Sequence, residues 1–77
     1  MGRGAARRVS LDERILAAHR SGEREALAGL YAEAARAQGD EDARAFFLTQ
    51  AWVLALEAGA PSAEGLRRTL VSMGRDA

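Results

Sequence analysis

The chain contains no cysteine and no lysine, and only one histidine, one proline and one tryptophan. Each scarcity removes a class of explanation. Without cysteine there is no disulfide framework, and a single histidine cannot assemble the usual zinc sets. Net charge is also missing, since eleven arginines balance eleven acids. No whole-molecule field therefore draws the protein to nucleic acid or to an anionic membrane. A long apolar run is missing as well. The stretch from Ala45 to Leu56 is interrupted by Thr49 and Gln50, and a membrane span needs about 20 mostly apolar residues. The N-terminal arginines lead into Val9-Ser10-Leu11-Asp12, which is not the apolar core of a secretory leader. Ala6 stands where a myristoylation signal wants Ser or Thr. The expected compartment is the cytoplasm. All-arginine basicity with abundant alanine and glycine points to a high-GC, bacterial type of coding sequence.

What is present is helical. Seventy-seven residues make one small domain, and a chain of this size buries only about 60% of its unfolded surface. Residues 1–9 hold Arg3, Arg7 and Arg8 with no acid. They are expected to form a disordered basic arm, and residues 10–77 a single helical domain. Ser10 with Glu13 forms a capping box, so helix 1 should start at Ser10. Its stripe is Leu11, Ile15 and Ala18, with Leu16 to one side, and Gly22 should stop it; the alternative is a single helix 1–2 kinked at Gly22. Helix 2 should run from about Glu23 to Gln38, with Leu27, Leu30, Tyr31 and Ala34 on its apolar face. Gly39 is expected in the left-handed conformation that ends helix 2. Asp40 can cap helix 3.

Helix 3, about residues 41–58, is the centre of the expected fold. It carries both phenylalanines and the tryptophan, and it is apolar in nearly every direction. Only Gln50 and Glu57 mark a polar line. Such a helix needs neighbours on several sides. Phe46, Phe47 and Trp52 are most simply read as core. Gly59 should end the helix, and Pro61 suits the first position of helix 4. Ala63, Leu66, Leu70 and Met73 make the helix 4 stripe. Glu64 and Arg68 are spaced for an ion pair, and Gly74 should end the helix.

A spacing recurs. Gly22, Gly39 and Gly59 are each followed four residues later by an alanine, then by Leu30, Phe47 or Leu66. A glycine ends one helix, and a small residue then marks a close crossing in the next. The helix pair repeats at about 37 residues, as in stacked helical hairpins. Over Ala26 to Pro61 the chain resembles the tetratricopeptide (TPR) family. Leu27 and Tyr31 resemble the Leu and Tyr of its first helix, and Ala43 and Phe47 the Ala and Phe of its second. Arg24 and Ala28 stand where that family has tryptophan and glycine. The resemblance implies an all-α fold, a four-helix antiparallel array of two helical hairpins, and a protein-binding role. The chain also resembles small uncharacterised bacterial helical proteins.

Catalysis has little to stand on. His19 is near the end of helix 1 with no cysteine or second histidine beside it, and reads as a boundary or surface residue. The acids Glu23, Glu25, Asp40, Glu41 and Asp42 sit at helix starts, where capping explains them. No cofactor and no metal is expected. Three short, alanine-rich helices cannot obviously cover helix 3. Trp52, Phe46, Leu56 and Leu48 are therefore the candidate residues for binding a protein partner or a second copy. The alternative is a nucleic-acid-associated protein using Arg3, Arg7 and Arg8. Three charges without an aromatic give weak, salt-sensitive binding, and the acidic body opposes it. Arg7-Arg8-Val9-Ser10 also fits a basic-directed kinase site, although capping is the better account of Ser10.

Overall fold

The computed structural model describes residues 10–75. The arm expected over residues 1–9 lies outside them. The described residues form α1 (Leu11–Ser21), α2 (Arg24–Arg36), α3 (Glu41–Ala58) and α4 (Ser62–Ser72). There is no strand among them.

The caps follow from local chemistry. Ser10 Oγ accepts the Glu13 N–H at 3.1 Å, and Glu13 Oε1 accepts the Ser10 N–H at 3.1 Å. This reciprocal pair satisfies donors that the first turn leaves free. Gly22, at φ 73°, ends α1 and donates to the Ala18 carbonyl. It separates α1 from α2, so the two are not one kinked helix. Glu23 precedes α2 without any side-chain cap bond, as its poor capping propensity dictates. Asp40 Oδ2 accepts the Ala43 N–H at 2.8 Å and starts α3. Gly59, at φ 66°, ends it. Pro61 occupies the capping position itself, one residue before α4 begins.

Gly39 departs from expectation. The glycines at positive φ among the described residues are Gly22, Gly59 and Gly74. Helix α2 stops at Arg36 instead, with Ala37 still right-handed. The Gln38 side chain donates to the Ala34 carbonyl. A side chain thus satisfies an acceptor that a left-handed glycine would otherwise help to satisfy.

Helices α2 and α3 run antiparallel, which the contacts show directly. Ala35 packs with Ala45, and Ala28 with Ala55, so positions rise along α2 as they fall along α3. The most extensive interface joins α2 to α3. Helix α4 packs on α3, and α1 packs on α2 alone. The shortest dimension is 16 Å, about the thickness of two packed helices. Among the described residues no further layer covers α3.

The core corrects the reading of the aromatics. Eight alanines and three leucines are the buried apolar residues described, and no aromatic is among them. Ala51 and Ala55 are 0% exposed. Small side chains let the α2 and α3 backbones approach closely, and this closeness excludes larger side chains from the seam. Phe47 and Trp52 are half-buried against the edge of the core, beside Leu66 and Met73. Phe46 lies outside it.

Candidate functional site

The side of α3 turned away from its neighbours follows from the helical period. Ala45, Leu48, Ala51 and Ala55 are buried. The opposite arc holds Phe46, Thr49, Gln50, Val53, Leu56 and Glu57, all exposed. At 100° per residue these six fall within about 120° of one another. Phe46 is 59% exposed, Leu56 52% and Val53 40%. Three large apolar side chains on one helix face leave apolar surface that the other described residues do not cover.

The four candidates for partner binding therefore separate. Phe46 and Leu56 lie on the open face. Leu48 does not, because it is buried in the α2–α3–α4 core with Ala35, Ala45 and Leu70. Trp52 is half-buried against that same cluster. Val53 was not singled out from the sequence, yet it sits between Phe46 and Leu56. Its signal was the i, i+7 spacing from Phe46.

The face has defined edges. A row of rings leads into it from the neighbouring helices. His19 meets Tyr31 edge-on with centroids 6.3 Å apart, Tyr31 stacks on Phe47 at 6.1 Å, and Phe47 meets Phe46 at 5.5 Å. These spacings are those of attractive aromatic pairs, so Phe46 is oriented although it is exposed. An ion pair closes each end of the face. Arg24 Nε donates to Glu57 Oε1 at 3.2 Å at the C-terminal end. At the N-terminal end Arg75 donates to Asp42. That hydrogen bond holds the Arg75 guanidinium above its ordinary pKa.

The other candidate chemistry does not assemble. His19 Nε2 lies 3.3 Å from the Tyr31 hydroxyl. It lines a cleft of about 280 Å³ with Glu57, but Glu57 is already held by Arg24. Among the described residues no group of His, Asp and Glu could hold a metal ion. None of their helices is long and apolar enough to cross a membrane. Arg3, Arg7 and Arg8 lie outside the described residues. A shallow groove of about 440 Å³ separates α2 from α4, floored by Ala28, Gly29, Ala32 and Gly65.

Comparison with protein-family models, curated proteins and solved structures finds no match for this chain.

Proposed function

We propose that the protein is a small, non-catalytic protein–protein interaction or assembly module. It binds a protein partner, or itself, through the apolar face of α3. The observation that carries this reading is the exposure of Phe46, Val53 and Leu56 on one face of the central helix. Exposed apolar side chains gathered on one oriented face are a common mark of association. The mechanism is burial of that surface, bounded by the two ion pairs and without chemistry at His19.

The TPR-like arrangement is part of the same proposal. Gly22 and Gly59 lie 37 residues apart and share one left-handed backbone conformation. The helices that follow them, α2 and α4, both pack on α3. That is the relation expected of equivalent helices in successive hairpins.

Phe46 and Leu56 make the sharper test than Trp52, whose removal would also disturb the core. Phe46→Asp and Leu56→Asp should leave the helical circular dichroism unchanged. Each should abolish association measured by solution mass and by affinity capture against the unaltered chain. Unchanged association in both variants would overturn the reading.

A further inference from the structure

We infer that the occupant of the α3 face is a second copy of this chain, packed antiparallel across a two-fold axis between Thr49 and Gln50. This rests on the reading of that face as an interaction surface. Symmetry and charge both favour this occupant.

A two-fold interface must be self-complementary: each residue to one side of the axis needs a suitable partner at the mirrored position. The centre of the α3 face meets that condition, while Leu56, whose mirrored position is the half-buried Ala43, flanks it to one side. Phe46 and Val53 stand equally far from the Thr49–Gln50 midpoint, are both exposed, and lie about 20° apart around the helix. An antiparallel copy therefore sets Phe46 against the second copy's Val53, twice. The two polar residues fall at the axis. There Thr49 meets Thr49 of the second copy, and Gln50 meets Gln50, whose amide can both donate and accept.

The charges obey the same symmetry. Asp42 and Glu57 also stand equally far from the midpoint, and each is already paired with an arginine of a neighbouring helix. Antiparallel packing brings the Asp42–Arg75 pair of one copy opposite the Glu57–Arg24 pair of the other. Each arginine then faces a second carboxylate, which makes an alternating set of four charges at both ends of the interface. A parallel copy would instead place Asp42 on Asp42 and Glu57 on Glu57. The helix dipoles likewise favour the antiparallel arrangement.

Size sets the strength. An 18-residue helix is about 27 Å long. One such face covers less than the roughly 800 Å² per partner of a standard stable interface. The dimer is accordingly concentration-dependent, not obligate.

The absence of cysteine from the chain makes the register directly testable. The mass of the whole chain should rise from monomer to dimer across the micromolar to millimolar range. Under mild oxidation at concentrations giving dimer, Thr49→Cys should form a covalent dimer, and Gln50→Cys serves as a second near-axis probe. Phe46→Cys alone should not link. Its two copies stand seven residues apart along the axis, about 10 Å, beyond the reach of a disulfide. Phe46→Cys with Val53→Cys should link efficiently. A monomeric mass at every concentration would overturn the inference, while the interaction reading would still stand or fall on capture of another protein by Phe46 and Leu56. A dimer in which Phe46→Cys links to itself, and neither near-axis variant does, would also overturn it.

Discussion

At the scale of the residue, size and burial are inverted in this protein. The large aromatics lie at or near the surface, and alanine fills the seam. Leu70 is the one large side chain described that is almost fully enclosed, at 1% exposure. It packs with Ala35, Ala45 and Leu48, so it joins α4 to the α2–α3 pair. Leu70→Ala should destabilise the fold by about 2 to 5 kcal/mol through lost burial and a cavity. Phe46→Ala, on a larger side chain, should cost less, about 1 kcal/mol in the monomer, because Phe46 stays 59% exposed and keeps chiefly its edge contact with Phe47. Urea unfolding of both variants at low concentration checks the contrast. A Phe46→Ala cost equal to that of Leu70→Ala would mean the ring is enclosed after all. This inversion was only half legible in the sequence. Ala45, Leu48, Ala51 and Ala55 do recur at helical spacing. Their signal was masked because apolar residues surround α3 on every side, and side-chain volume drew attention to the phenylalanines.

At the scale of the element, the sequence was far more readable, because helix ends are set by local bonds. The Ser10–Glu13 box, the Asp40 cap and the Gly59 stop all lie where residue chemistry put them. The exception, Gly39, shows the limit of such reasoning. A glycine permits the left-handed conformation without requiring it, and the Gln38 side chain supplies an alternative donor to the Ala34 carbonyl. The two glycines therefore predict opposite responses. Gly59→Ala forces a Cβ into φ 66° and should destabilise by about 1 kcal/mol. At Gly39 the backbone is not left-handed and the space a Cβ would enter is open. Gly39→Ala should be neutral, or stabilising by a few tenths of a kcal/mol through a less flexible unfolded chain. Thermal melts of the pair decide it, and equal losses would contradict the assignment of the two turns.

Helix α4 carries a pH signature on the same scale. The expected Glu64–Arg68 pair forms at 3.6 Å, but Arg67 is closer, at 2.9 Å. Hydrogen bonding from Arg67 holds the Glu64 carboxyl below its ordinary pKa. A carboxylate whose folded-state pKa is lowered adds stability above its unfolded pKa, and loses it as pH falls through the folded value. The group is open to solvent, so the effect is small. Glu64→Gln should be slightly less stable than the unaltered chain at neutral pH, and the gap should close in acid. A gap that stays constant below the carboxylate range would show that the pair is not its source.

At the scale of the whole molecule, the sequence revealed faces but not which faces meet. Periodicity marks Leu11, Ile15 and Ala18 as one stripe of α1. It does not say that this stripe meets α2 alone, nor that α2 and α4 take adjacent sides of α3 and leave Phe46, Val53 and Leu56 bare. Partner choice among helices depends on the summed fit of side chains distant in sequence, which one chain's pattern does not encode locally. The resulting order of packing, with α2–α3 most extensive, then α3–α4, then α1–α2, should appear as an order of local stability. Helix α1 has one buried residue, Ala18, and one bidentate surface pair, Arg14 with Glu33 at 3.2 Å. Such a pair is worth at most about 1 kcal/mol. Opening α1 therefore exposes little apolar surface and leaves the α2–α3 seam intact, so it can occur without global unfolding. Native-state hydrogen exchange should show α1 amides protected at least roughly tenfold less than those of Ala51 and Ala55 at the seam, with α4 between them. Equal protection across all four helices would mean that α1 opens only with the whole fold, and that its contact with α2 is stronger than Ala18, the Arg14–Glu33 pair and the His19–Tyr31 contact can supply.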